Sequence, residues 1–217
     1  MASRDHAGLA ARVIDAWRAR SGRYLLGITG PPAAGKSTLA GELRDAINAK
    51  LGQQVAEIAP MDGFHLPNRV LDERGLRARK GAPETFDGEG YVAKLKQLRS
   101  EAATVGWPVY DRAVLHEPVD DAITIGPQIG IVITEGNYLL LDEQPWAQVR
   151  LLLNQIWYLD VGRPTITERL LQRHQTVGRT AEQARTKIDE TDLPNAAFIA
   201  ASKGSADLVL DDCSQRF

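Results

Sequence analysis

Gly30-Pro31-Pro32-Ala33-Ala34-Gly35-Lys36-Ser37 stands between the apolar run Leu25-Leu26-Gly27-Ile28-Thr29 and the helix-forming stretch Ser37-Thr38-Leu39-Ala40. The octapeptide matches G-x-x-x-x-G-K-[ST] at every fixed position, and each fixed part has a physical reason. Gly30 and Gly35 allow backbone angles that turn successive N–H groups toward a polyphosphate. Lys36 is a cation able to reach β- and γ-phosphates, and the Ser37 hydroxyl can ligate Mg²⁺. A helix opening at Lys36 adds its dipole and its unpaired amides to the same anion site. Residues 30–37, with Thr38 behind them, are therefore expected to bind a nucleoside triphosphate.

Reading outward, residues 5–20 carry Leu9, Val13, Ile14 and Trp17 at helical spacing, and Ser21-Gly22 ends that helix. Residues 23–29 read as a buried strand, 36–50 as a helix, and 54–59 as a second strand closed by Pro60. Residues 62–90 are dense in Gly, Pro and charge, with one short helix expected near 68–76. A connection of that length in a compact domain points to function. Further helices are predicted over 91–102, 165–176 and 181–191, and strands over 105–110, 129–134, 155–160 and 206–210. Strands alternating with helices imply a doubly wound parallel α/β sheet. No repeat, low-complexity stretch or linker divides residues 1–217, which read as one domain.

Phosphoryl chemistry on such a loop needs an acidic residue at a neighbouring strand end. Two fit. Glu135 follows Ile131-Val132-Ile133-Thr134, and Asp62 follows Ile58-Ala59-Pro60-Met61. Ligands in open α/β sheets collect at the carboxyl ends of strands, so both should face the phosphate loop. Asp62 is the expected general base on an acceptor hydroxyl, and Glu135 the partner of Ser37 on the metal and its waters. Arg163, Arg169 and Arg173 lie in one short segment, the last two at i, i+4 on one helical face. Guanidiniums so placed would stabilise a transferring phosphoryl group. His174 has no evident partner and reads as structural.

Four further blocks carry a resemblance. Met61-Asp62-Gly63-Phe64-His65-Leu66-Pro67-Asn68, Arg79-Lys80-Gly81-Ala82-Pro83-Glu84-Thr85-Phe86-Asp87, Pro108-Val109-Tyr110-Asp111-Arg112 and Glu135-Gly136-Asn137-Tyr138-Leu139-Leu140 occur in an order similar to that of the phosphoribulokinase/uridine kinase family, toward its pantothenate-kinase-like branch. The resemblance implies a P-loop NTPase fold with a five-stranded parallel core, helices on both faces and a helical lid over about 163–180. It implies an ATP- and Mg²⁺-dependent kinase acting on a hydroxyl of a small metabolite such as a nucleoside, a sugar or a pantothenate-like compound. By the same resemblance Asp62 is the catalytic aspartate, and Phe64, Arg79, Lys80, Phe86, Tyr110 and His116 line the acceptor site. Asn195, in Asp192-Leu193-Pro194-Asn195, falls where the family runs near adenine. Tyr110-Asp111-Arg112 departs from the tyrosine-serine-histidine pattern of bacterial type I pantothenate kinases, and the chain is shorter than theirs, which disfavours pantothenate itself.

A nucleotide-dependent switch or a regulatory ATP-binding module is the alternative. A guanine-reading N-K-x-D motif is missing, and its usual position holds Trp157-Tyr158-Leu159-Asp160-Val161. The formal net charge of -2 lacks the basic field of a nucleic-acid binder. No apolar run approaches the roughly 20 residues of a membrane span. Arg4, Arg12, Arg18 and Arg20 imitate a mitochondrial presequence, but Asp5 and Asp15 argue against one. The lone Cys213 lies outside every motif and suits a reducing compartment. The expectation is a cytoplasmic monomer or homodimer.

Overall fold

A computed structural model describes residues 5–99, 104–112 and 114–211. Arg4, Cys213 and the end of the helix predicted to reach residue 102 lie outside them.

Five parallel strands form the central sheet: β1 (Tyr24–Thr29), β2 (Ala56–Pro60), β5 (Ile131–Gly136), β6 (Gln155–Asp160) and β7 (Leu208–Asp211), in the order β2-β5-β1-β6-β7. Every residue of β1 and of β5 is buried. Such continuous apolar runs are what strands covered on both faces require. Side chains alternate between the two faces. Leu25, Val132, Ile156 and Tyr158 join one core with α4 (Gly88–Leu98) and α5 (Ala147–Leu152). Leu26, Ile28, Ile131, Ile133, Trp157 and Leu159 join the other with α1 (His6–Arg18), α2 (Lys36–Leu51) and α6 (Arg163–Thr176).

The strand predicted over 105–110 exists as β3 (Val105–Asp111), but it does not enter this sheet. It pairs antiparallel with β4 (Glu117–Ile125), an unforeseen strand, in a separate two-stranded ribbon. Four successive residues of β4, Val119 to Ala122, are exposed, so no buried alternation marks it in the sequence. The helix predicted over 181–191 is α7 (Ala181–Lys187), which widens into a π turn at Ile188–Asp192 and runs on as α8 (Leu193–Ala201). Between β2 and α4 the chain makes only α3 (Asn68–Glu73) and three short 3₁₀ turns.

Arg23 fixes the edge of the sheet opposite the phosphate loop. It is 6% exposed, and its guanidinium donates to the carbonyls of Ile129 (2.9 Å), Leu98 (3.1 Å) and Gly126 (2.9 Å). One side chain thus satisfies the end of α4 and the turn before β5. Arg23→Met strands those acceptors, and we expect a loss of about 3 kcal/mol in urea unfolding. A loss under about 1 kcal/mol would mean that the carbonyls find other donors.

Candidate active site

β1 delivers the chain to the phosphate loop, and α2 carries it away. Gly30 has φ 148°, and a Cβ there would lie 2.6 Å from the Leu159 carbonyl oxygen. Gly35, at φ 93°, is the N-cap of α2 and offers no side chain to its amides. The first amides of a helix have no intrahelical acceptor, so those of α2 stay available to an anion. Ala33 is left-handed at φ 60°, a conformation costing a non-glycine residue about 1–2 kcal/mol.

Lys36 is buried at the centre of the loop. Its Nζ donates to Gly30 O (3.0 Å), Pro31 O (2.9 Å) and Asn137 Oδ1 (2.7 Å). Burial pulls its pKa down to about 8, against the attraction of Glu135 and Asp62. Ser37 Oγ donates to Glu135 Oε1 at 2.9 Å. This hydroxyl–carboxylate pair is an all-oxygen donor set beside the phosphate loop, which fits Mg²⁺ held by few protein ligands and by substrate phosphates. Thr38 is exposed in the same first turn of α2.

Asp62 sits in the 3₁₀ turn Met61–Phe64, directly after β2. The turn is held from several sides. Trp107 Nε1 donates to Pro60 O at 2.9 Å, and Thr134 Oγ1 donates to Ala59 O at 2.6 Å. A Cβ on Gly63 would lie 2.0 Å from Pro108 O, so only glycine lets the turn press against β3. Arg112, at the end of β3, forms an ion pair with the Asp62 carboxylate. Burial works against the Asp62 charge, but Arg112, then His65, Lys36 and Arg173, hold its pKa below the ordinary carboxylate range. Glu135 is displaced the other way, upward, by burial and by Asp62, with Lys36 and the Ser37 hydroxyl opposing. Two acids driven apart in this way suit two tasks.

An aromatic and polar wall continues from Asp62. The His65 ring lies 4.0 Å from the Phe86 ring centroid and 4.8 Å from that of Tyr110. Burial lowers its pKa, and the neutral ring donates Nδ1–H to Asp62 O at 2.8 Å. Lys80 donates to Asn68 Oδ1 (2.6 Å) and His116 O (3.2 Å), with its Nζ 4.9 Å from the Tyr110 ring centroid. The Arg112 guanidinium is 5.4 Å from the same centroid.

Not every residue expected at the acceptor site faces it. Phe64 turns into the core, with edge contacts to Tyr91 (5.2 Å) and Trp107 (5.1 Å). Arg79 pairs with Glu84 on the surface, Nε to Oε1 2.6 Å. The His116 side chain is exposed, and its carbonyl is the group that joins the network, accepting from Lys80 and from the Tyr110 hydroxyl. Asn195 is half-buried in the first turn of α8, where its side chain makes no hydrogen bond among the described residues. On α6, Arg169 reaches the phosphate loop at Ala33 O and Ala34 O, both 3.4 Å. Arg173 stands in the field of Asp62, Asp192, Glu135 and Arg112. His174 does have partners. Arg179 donates to its Nδ1 (2.9 Å), so its Nε2–H donates to Asp192 Oδ2 (2.6 Å) and ties α6 to the π turn. Arg112, Asn137, His65 and Asn68 were given no role by sequence reasoning. Each stood inside or beside a quoted block, and a polar residue directly after a fully buried strand was the available signal for Asn137.

The parallel sheet, the glycine-rich turn and the acidic strand ends define a P-loop kinase. The sequence pattern of the Phosphoribulokinase / Uridine kinase family matches residues 25–216, and the chain belongs to that family. A Schizosaccharomyces pombe protein named "Putative uridine kinase C227.14" is 34% identical over 195 residues, 87% of this chain and 83% of that one. The pantothenate kinase of Limosilactobacillus reuteri is 30% identical over 209 residues, 86% of this chain and 68% of that one. A crystal structure from Silicibacter sp. TM1040, described as a "putative fructose transport system kinase", superposes with a TM-score of 0.86 at 37% identity, covering 96% of this chain and 100% of that one. Membership implies a phosphotransferase that uses ATP and Mg²⁺ on a small molecule. No helix among the described residues is long and apolar enough to cross a membrane.

Proposed function

We propose that the protein transfers the γ-phosphoryl group of ATP to an alcohol of a small metabolite, with Asp62 as general base. The observation that carries this reading is that Asp62 follows β2 where Pro60 pairs with Glu135, and that Glu135 accepts from Ser37 of the phosphate loop at 2.9 Å. The acceptor hydroxyl gives its proton to the Asp62 carboxylate as its oxygen bonds to the γ-phosphorus. The bond from that phosphorus to the β–γ bridging oxygen breaks, and ADP leaves. Lys36, Arg169 and Arg173 stabilise the charge that develops. Residues 30–38 hold the triphosphate. Ser37 and Glu135 would hold Mg²⁺, which when bound neutralises phosphate charge. α6 with the turn to about residue 180 serves as a lid, because Arg169 already bridges it to the loop.

Incubation with ATP and a panel of nucleosides, sugars and sugar acids, read by product mass, tests the reading. The expected product is a monophosphorylated acceptor. Inorganic phosphate as the sole product across the panel would contradict it.

Lys36 also gives the site a pH dependence. Phosphates bind its charged form, whose folded-state pKa is near 8. Affinity for ATP is expected to be flat from neutrality to about pH 8. Above that it falls by up to about tenfold per pH unit, with proton uptake on binding. Calorimetry in buffers of differing ionisation enthalpy measures both. A flat profile through the alkaline range would show that Lys36 does not meet the phosphates.

A further inference from the structure

Residues 77–82 carry Lys80, whose Nζ lies 4.9 Å from the Tyr110 ring centroid. Three side chains tie this segment down. Lys80 itself reaches Asn68 Oδ1 at 2.6 Å, and the Tyr138 hydroxyl donates to Gly81 O. The third tie comes from far along the chain. Lys187, the last residue of α7, donates from Nζ to Ala78 O (3.2 Å) and Lys80 O (3.5 Å). It is half-buried, and burial lowers its pKa against the attraction of Asp192. An ordinary surface lysine would keep its ammonium in water.

Asp192 leads back to the phosphate loop. It accepts from His174 Nε2 on α6 at 2.6 Å. Directly before His174 stands Arg173, in the field of Asp62 and Glu135. One helical turn earlier stands Arg169, which reaches Ala33 O and Ala34 O at 3.4 Å. The π turn Ile188–Asp192 makes the connection compact. Residues five apart in an α-helix point about 140° away from each other. A π turn bonds i to i+5 and swings Lys187 and Asp192 back toward one side. A continuous series of contacts thus runs from the phosphate loop through α6, the π turn and Lys187 to the backbone beside Lys80. Its first link is loose. Bonds of 3.4 Å to carbonyls are long, and phosphate oxygens are better acceptors for a guanidinium.

We propose, resting on the kinase reading above, that Lys187 is a positioning residue that ties the lid to the acceptor segment, so that filling the phosphate loop with a triphosphate orders residues 77–82 ahead of the acceptor. As Arg169 turns from carbonyls to phosphate oxygens, α6 shifts, and Asp192 and Lys187 carry the shift to Ala78 and Lys80. By linkage, an acceptor bound against the ordered segment tightens the triphosphate by the same factor. Lys187 touches no reacting atom.

Hydrogen–deuterium exchange on the full chain, with and without adenylyl imidodiphosphate and Mg²⁺, tests this without an acceptor. The amides of Lys80 and Ala82, bonded to Arg77 O and Arg79 O, report on the segment, and a peptide over 30–38 reports on nucleotide binding. In the wild type the analogue should slow exchange in 77–82 about tenfold, within the worth of one charged hydrogen bond. Lys187→Met should cut that slowing to under about twofold while 30–38 stays protected as in the wild type. Lys187→Arg, which can reach the same carbonyls, should restore it. Asp192→Ala cuts the series behind Lys187 and should uncouple 77–82 to the same degree, with no further loss in the double variant. Unfolding midpoints confirm that the variants are folded. A lysine that only braces the segment would, when removed, raise exchange in 77–82 with and without the analogue alike and leave the slowing intact. That result, or no slowing in the wild type, overturns the inference. The two readings fail separately. Phosphorylated product with no slowing in 77–82 removes this one alone. Slowing that depends on Lys187, with no phosphorylated product across the panel, removes the kinase reading alone. An analogue that leaves 30–38 unprotected removes both.

Discussion

Asp62→Asn is expected to lower kcat on a confirmed acceptor by about 10²–10⁴-fold while leaving affinity for ATP within a few-fold. Asparagine keeps the size and one carbonyl oxygen of the side chain but cannot take a proton. The scaffold around residue 62 is made mostly of backbone contacts and neighbouring side chains: Trp107 on Pro60, Thr134 on Ala59, and Gly63 against Pro108. None of these involves the carboxylate, so the turn should survive the exchange. A unit change in pH should also affect the variant less than the wild type in the acid limb, because the depressed Asp62 pKa no longer governs it. Steady-state kinetics across pH reads both effects. A variant retaining more than about a tenth of wild-type kcat would remove Asp62 from the role of base.

Lys36→Met is the second large effect, an expected fall of about 10²–10³-fold in kcat. The loss should exceed any loss of stability, and the reason lies in the sign of the Lys36 shift. Its folded-state pKa, about 8, lies below its unfolded value. Carrying the charge at pH 7 therefore costs folding free energy, and that cost declines only as pH rises through 8 toward the unfolded pKa. Methionine removes the cost together with the three hydrogen bonds to Gly30 O, Pro31 O and Asn137 Oδ1, so the two changes offset each other. An unfolding midpoint close to wild type, with activity lost, is the expected pair of results. An unfolded variant would instead make Lys36 a structural residue of the loop.

The contrast with Arg23 is instructive. Both are buried cations on carbonyl oxygens, and they flank opposite ends of β1. Arg23 closes the backbone of α4 and the turn at Gly126, whereas on the proposed function the Lys36 site is completed by the triphosphate. A cost carried without a ligand is a common mark of a binding site.

Local signals made the sheet and the phosphate loop readable from the sequence. The loop is a contiguous pattern, and β1 and β5 are unbroken apolar runs because both of their faces are covered. What escaped was non-local or on the surface. β4 contains Asp120 and Asp121 and shows no buried alternation, so nothing announced the β3–β4 ribbon. Two features of the site turn on that single omission. Phe64 looks like an acceptor-facing aromatic beside Asp62 until β3 brings Trp107 onto it. Arg112 is 50 residues from Asp62 in the chain, and only the ribbon brings them together. Arg79 is held on the surface for a different reason: Glu84, a carboxylate five residues on, accepts from its guanidinium. The His174 partners, Arg179 and Asp192, required the turn after α6 and the π turn to fold back on it.

The central claim is geometric, that an acceptor alcohol lies between the phosphate loop and the Asp62 carboxylate. A crystal structure with a non-hydrolysable ATP analogue and a turned-over acceptor tests it most directly. The account predicts an acceptor hydroxyl about 2.6–3.2 Å from an Asp62 carboxylate oxygen, directly or through one water, and in line with the terminal phosphate. An acceptor hydroxyl on the far side of the phosphates, with Asp62 still paired to Arg112, would contradict it.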